Sequence, residues 1–192
     1  MRLIFLRHGK TIYNEQGITQ GWCDSPLSAI GKQQALQTHE YLKDMDINRV
    51  YCSPSGRTKE TLRIVLDRDI PVIYDERLKE IHFGIFEEQL ESIRMDKEIE
   101  SPLWYQDLDM DYRLYGGECL KDVIQRMQSL IDDCVEYQDE TILICSHGCA
   151  ITGFIQSLCH QNLPCIQNAG VIIISYNGNY QIETIFEPII ND

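Results

Sequence analysis

Two histidines, His8 and His147, occur in similar settings, Arg7-His8-Gly9 and Ser146-His147-Gly148, each directly after a run of mainly aliphatic residues. A second arginine, Arg57, closes Ser53-Pro54-Ser55-Gly56-Arg57 after another such run. Glu80 follows a third in Lys79-Glu80-Ile81-His82-Phe83-Gly84. Arginine offers a planar fork of donors that fits phosphate oxygens and keeps its charge. A histidine among guanidinium groups has its protonated form disfavoured, so it stays a neutral nucleophile. A carboxyl group beside a bound anion has its protonated form favoured, which suits a general acid. Gly9 and Gly148 let the backbone approach a ligand, and Gly148 stands where a helix is expected to start, a natural anion site. Such a set suits phosphoryl transfer, which depends on positioning and charge stabilisation, and it implies no metal and no cofactor.

These segments act together only if a fold brings them together. Strand-like runs occur at Leu3–Leu6, Arg49–Cys52, Val72–Tyr74, Thr141–Cys145, Val171–Tyr176 and Gln181–Phe186. Helical spacing links Leu120, Val123, Ile124, Met127, Leu130, Ile131 and Cys134 on one face, and Ala150, Ile151, Phe154, Ile155 and Leu158 on another. Strands alternating with helices imply a largely parallel sheet covered on both sides, and Asn177-Gly178-Asn179 reads as a hairpin turn that adds an antiparallel edge. The expected fold class is α/β, a three-layer α/β/α sandwich around a mostly parallel mixed sheet, with residues 1–192 as one domain. In such sheets ligands bind beyond the carboxyl ends of the strands, where all four reactive segments fall.

Composition narrows the partners. The 192 residues carry 17 Lys and Arg against 30 Asp and Glu, a net charge of −13. That argues against nucleic acid or an anionic membrane as partner, since both need a basic face. The longest aliphatic run, Val171 to Ile174, is far too short to span a bilayer, and Met1 to Arg7 reads as a strand rather than a signal peptide. A cytoplasmic location is expected. The eight cysteines include no Cys-x-x-Cys pair and no zinc-finger spacing, so reduced and mostly buried thiols are expected rather than a zinc module. His39 and His160 read as surface or loop residues, His82 as packing or capping, and Trp22 and Trp104 as packing.

In chain order, Leu6-Arg7-His8-Gly9-Lys10-Thr11-Ile12-Tyr13-Asn14, Gln20-Gly21-Trp22-Cys23-Asp24-Ser25-Pro26-Leu27-Ser28-Ala29-Ile30-Gly31, Ser53 to Thr58, Glu80 to Gly84, Gly116-Gly117-Glu118 and Ser146-His147-Gly148 resemble the motifs of the histidine phosphatase superfamily, in its phosphoglycerate-mutase-like branch. The resemblance implies that His8 is the nucleophile that becomes phosphohistidine, and that Arg7, Arg57 and His147 hold the phosphoryl group. It further implies that Glu80 protonates the leaving oxygen, and that Asn14, Gln20, Gly21 and the Gly148 amide line the phosphate and its ester oxygen. Residues 85–117 are then expected to form a lid or insertion over the site.

Two outcomes share such a pocket: hydrolysis of a small phosphomonoester, or transfer within a phosphoglycerate. The chain is short for the mutases it resembles, and Ile81 stands where they tend to carry an arginine for the substrate carboxylate. Residues 85–115 hold nine acids (Glu87, Glu88, Glu91, Asp96, Glu98, Glu100, Asp107, Asp109 and Asp111) against Arg94, Lys97 and Arg113. That balance favours a leaving group that is neutral or cationic, with an apolar part, and a phosphatase as the function, while a solvated helix face is an equal reading of the same acids. A non-catalytic binder of a phosphorylated ligand is the alternative from another class. Lys10, Cys149 and Thr152 depart from the family pattern, with Lys10 placed at the pocket mouth or in solvent, and Cys149 raising redox sensitivity. Oligomeric state is left open, a homodimer included.

Overall fold

The computed structural model describes residues 1–95 and 110–189. Six strands, β1 (Arg2–Arg7), β2 (Arg49–Cys52), β3 (Val72–Tyr74), β4 (Thr141–Ser146), β5 (Val171–Tyr176) and β6 (Tyr180–Phe186), lie in the order β3-β2-β4-β1-β5-β6. The first four in that order are mutually parallel, while β5 runs antiparallel to both β1 and β6. All six expected strands are therefore present within a residue of their expected ends, and the hairpin forms the antiparallel side. The central strands read as unbroken apolar runs because both their faces are covered: Leu3 to Leu6 and Ile142 to Cys145 are fully buried.

Side-chain alternation sorts the strands into two cores. Leu3, Phe5, Ile142, Ile144, Ile172 and Ile174 face α5 (Leu120–Asp133) and α6 (Gly148–Cys159). Ile4, Leu6, Val50, Leu143, Cys145 and Ile173 face α2 (Ala29–Leu42) and α3 (Gly56–Val65). Short helices α1 (Ile12–Gln16) and α4 (Glu91–Met95) lie outside these layers in the connections. The expected stripe on α5 is buried at Leu120, Val123, Met127, Leu130 and Ile131, with Cys134 just beyond it, and only Ile124 is half-buried. All eight cysteines are free thiols, of which 52, 119, 134 and 145 are buried.

Register places the site. Arg7 pairs with Ser146 across β1 and β4, so His8 and His147 leave neighbouring strands at the same level. Cys52 pairs with Cys145 and Tyr74 with Cys52, which ends β2 and β3 along the same rim. Two single-residue expectations need correction. His39 lies on α2 and is tucked in, its ring Nδ1 3.0 Å from the Val65 carbonyl. Trp22 is 46% exposed on the rim, against His82 at 4.8 Å and under the Lys79 ammonium at 4.4 Å. Trp104 lies outside the described residues.

One carboxylate laces the rim loops. Glu87 Oε1 accepts from the N–H groups of Trp22 and Phe83, and Oε2 from those of Gly21 and Cys23, at 2.9–3.1 Å. Gly21 must be glycine for this approach, because a Cβ there would overlap the Ile81 carbonyl and the Glu87 carboxylate itself. The carboxyl is held below its ordinary value: burial works against ionisation, but the Cys23 thiol and the N–H groups of Cys23, Trp22 and Phe83 outweigh it.

Truncating the buried Leu130 to alanine is expected to cost about 2–5 kcal/mol, read as a lower urea midpoint with an unchanged slope. For Glu87 the folded-state value is the lower one, so its stabilisation is present above the ordinary value of 4.5 and is lost as pH falls through the folded-state value. Glu87→Gln is therefore expected to be less stable than wild type at neutral pH. The gap should narrow below pH 4.5 in urea melts run across that range.

Candidate active site

His8 is the first residue past β1, anchored by its N–H to the Ser146 carbonyl at 3.1 Å. Its Nδ1 lies 2.8 Å from the Gly9 carbonyl, which assigns the proton to Nδ1 and leaves the lone pair on Nε2. Burial pushes its pKa well below the ordinary value, and the charges of Arg57 and Arg7 push the same way, so the ring is neutral and its lone pair can act as a nucleophile. His147 follows β4 with its ring 5.3 Å away and edge-on. It too is held neutral, first by burial and then by Arg57. Its Nε2 lies 2.8 Å from Ser53 Oγ.

Arg57, on the first turn of α3, is wholly buried, and its terminal nitrogens are committed to one loop. Nη1 donates to the Cys23 carbonyl at 2.8 Å and to Asp24 Oδ1 at 2.9 Å, and Nη2 to the Gly21 carbonyl at 2.7 Å. That loop offers its carbonyls to Arg57 because its N–H groups are already turned toward Glu87. Asp24 also accepts from the Gly56 N–H at the start of α3. Arg7 Nη1 donates to the Ile166 carbonyl at 2.5 Å, with Cys165 Sγ at 3.8 Å. The Ile166 N–H is in turn received by Thr152 Oγ1 at 3.2 Å, which gives that departure from the family pattern a local job. Among the described residues, Arg7 Nε, Arg57 Nε and His147 Nδ1 are buried with no partner in the protein. A buried donor left unpaired costs about 1–3 kcal/mol, so three around one imidazole amount to a site for an anion.

Glu80 lies after β3 and is almost fully buried. Its Oε1 accepts from Ile81 N and Ala150 N, and Oε2 from Cys149 N, all at 2.9–3.0 Å, so the first turn of α6 orients the carboxyl. Oε2 takes a single bond and keeps a lone-pair position for a proton. From behind, Arg126 donates to the carbonyls of Arg77, Lys79 and Glu80 and pairs with Glu118, which also accepts the His82 N–H. Trp22 Nε1 donates to the Glu80 carbonyl as well. The nearby Glu76 is instead exposed and paired with Lys79.

Arg7, His8, Asn14, Gln20, Glu80 and Gly148 share the lining of one pocket of ≈ 80 Å³. Gly148 admits no side chain without pressing on the Arg7 guanidinium, since a Cβ would stand 3.0 Å from its Cζ. Arg57 and His147 are not part of that lining; the His147 ring lies 5.3 Å from that of His8, and the Arg57 charge acts on both rings. Gly21 does not face the pocket: its N–H serves Glu87 and its carbonyl serves Arg57. Lys10 lines a neighbouring groove with Gln34 and Glu187. The same pocket is also lined by Thr19, Phe83, Glu91, Arg94, Cys149 and Cys165, of which sequence reasoning singled out only Cys149 for the site. Of the supporting residues, Asp24, Ser53 and Glu118 lay inside the motifs already quoted; Arg126 carried no signal beyond being a cation on an amphipathic helix.

A family model of the histidine phosphatase superfamily (branch 1) matches residues 3–185. The "Probable phosphoglycerate mutase GpmB" of Salmonella paratyphi A is 31% identical over 164 residues, covering 82% of this chain and 74% of that protein. A mycobacterial glucosyl-3-phosphoglycerate phosphatase, solved with VO3, superposes with a TM-score of 0.84 at 26% identity over 95% of this chain and 96% of that one. An alpha-ribazole phosphatase from Shigella flexneri superposes with a TM-score of 0.78 at 29% identity over 96% of each chain. A sheet that delivers His8, His147, Arg7, Arg57 and Glu80 to one rim, together with a match over nearly the whole length, makes this chain a member of the histidine phosphatase superfamily, branch 1.

Proposed function

We propose that the protein is a metal-independent phosphomonoesterase that acts on a small phosphorylated metabolite through a phosphohistidine on His8. The observation that carries this reading is the neutral imidazole with its Nε2 lone pair set among three buried donors that have no partner in the protein. Arg7, Arg57 and His147 neutralise the phosphoryl oxygens. A Ser53 hydroxyl donating to His147 Nε2 leaves the proton on Nδ1, so the ring can donate. The bond from phosphorus to His8 Nε2 forms as the bond to the ester oxygen breaks, and Glu80 gives that oxygen its proton. Water then attacks phosphorus, losing its proton to Glu80, and the phosphorus–nitrogen bond breaks to release phosphate.

Hydrolysis is favoured over mutase chemistry by Ile81, whose side chain is fully buried in the core rather than presented to a carboxylate. The relatives named as phosphatases support hydrolysis, and the relative named as a mutase supports the shared phosphoryl chemistry. A binding-only role is disfavoured because nucleophile, acid and both arginines are all kept. Among the described residues, the acidic segment bears on the expected choice of leaving group at one position. Asp96, Glu98, Glu100, Asp107 and Asp109 lie outside the described residues. Of the rest, Glu87 is turned into backbone, Asp111 pairs with Arg113, and Glu88 meets the Tyr13 hydroxyl. Only Glu91 reaches the pocket lining, in company with Arg94.

We place residues 1–192 in one domain with residues 85–117, of which 96–109 lie outside the described residues, as a lid or insertion over the site, acting in the cytoplasm on a small substrate, without nucleic acid or membrane as partner. Among the described residues no helix is long and apolar enough to cross a membrane.

In a phosphomonoester panel, wild type is expected to form an acid-labile phosphoenzyme and His8→Ala to lose nearly all turnover. Glu80→Gln should slow alkyl phosphates far more than p-nitrophenyl phosphate, whose leaving group needs little protonation. Turnover that survives His8→Ala would sink the mechanism.

A further inference from the structure

Thr19 was no part of the motif reading, yet it lines the catalytic pocket and is 1% exposed. Its backbone is fully engaged: the N–H donates to the Gln89 carbonyl at 2.8 Å, and its carbonyl accepts from Glu88 N at 3.1 Å. Its Oγ1 is buried and, among the described residues, has no hydrogen-bond partner in the protein. A buried hydroxyl in that state is costly unless something bound satisfies it.

The groups beside it indicate what that is. The segment carrying Thr19 is laced to the one leading into α4, through the Ile18–Leu90 bridge and the bond from Glu91 N to the Gly17 carbonyl at 2.8 Å. Thr19, Glu91 and Arg94 therefore belong to one flank of the pocket, while Arg7, His8 and Gly148 supply the phosphoryl end. Arg94 is held in place by its bond to the Tyr112 hydroxyl at 2.9 Å and by lying 4.6 Å over the Phe83 ring. A hydroxyl, a carboxylate and a guanidinium on one flank offer donors and acceptors together, the pairing that alcohol groups need because each both gives and receives a hydrogen bond. An apolar leaving group would bury the Thr19 hydroxyl unsatisfied.

We propose that Thr19 is a specificity-determining residue, and that with Glu91 and Arg94 it forms a subsite for a polyhydroxylated leaving group, so that the substrate class is sugar or polyol phosphates. This rests on the phosphomonoesterase reading.

The test compares kcat/KM on ribose 5-phosphate and on phenyl phosphate in wild type, Thr19→Val and Thr19→Ser. Valine keeps the shape and removes the hydroxyl. The ratio of the sugar ester to the aryl ester is expected to fall about 3- to 10-fold, the worth of one hydrogen bond. The melting temperature should hold or rise, since the hydroxyl has no partner in the protein. Serine keeps the hydroxyl and should hold the ratio near wild type. An unchanged ratio in Thr19→Val, an equal fall in Thr19→Ser, or a wild type that hydrolyses only the aryl ester each overturns the subsite while leaving the phosphatase standing. A wild type that hydrolyses no phosphomonoester removes the phosphatase reading and the subsite with it.

Discussion

A guanidinium with no contact with solvent is among the most demanding groups a fold can hold, and Arg57 is such a group. Its charge is met by a single carboxylate, Asp24, which is itself partly exposed, and by the carbonyls of Gly21 and Cys23. Much of the surrounding structure follows from that arrangement. The loop must turn its carbonyls inward, so its N–H groups need an acceptor on the other side, and Glu87 supplies one. The same positive charge keeps His8 and His147 from taking up protons, adding to the effect of their burial. A buried cation of this kind is a poor source of stability. On the phosphomonoesterase reading, an incoming dianion completes its coordination, so stability is given up where binding is gained.

The acid is organised by different means. Glu80 uses backbone N–H groups at the start of α6, whose preceding residue, His147, is the second histidine. One helix start therefore positions Glu80 and His147 together. Behind the acid, Arg126 gathers the carbonyls of Arg77, Lys79 and Glu80, which a lysine could not do with the same planarity. The acid thus depends on the geometry of the chain behind it, whereas the nucleophile depends mainly on surrounding charge.

Much of this was legible in the sequence. The strands announced themselves because the central ones are buried on both faces and so run as unbroken aliphatic blocks, and the rule of the carboxyl ends then selected His8, Arg57, Glu80 and His147. Helices α2 and α3 were faint for a physical reason. Their buried faces mix small and polar residues with apolar ones, Gly31, Ala35, Thr38 and Leu42 in one case and Arg57, Thr58, Thr61, Leu62 and Val65 in the other, so no long apolar stripe marks them. The flank formed by Thr19, Glu91 and Arg94 was missed because a polar residue that faces a pocket reads like one that faces water. Glu87 and Glu91 were counted only within the charge balance of the expected lid for the same reason. His39 shows the converse, a polar ring taken for a surface residue that is tucked against the end of α3.

The parallel pairing of β1 with β4 carries a consequence in time as well as in space. His8 and His147 meet only after nearly the whole of the intervening chain has been gathered, and β5 then closes over the other side of β1. Arg7 and His8 are neighbours in the chain, but Arg57, Glu80 and His147 reach them only through distant pairings. Pairings between such distant segments are slow to form and are rewarded late. A partly assembled chain therefore has Arg7 and His8 without Arg57, Glu80 or His147 around them, and the rim is complete only when the distant pairings have formed.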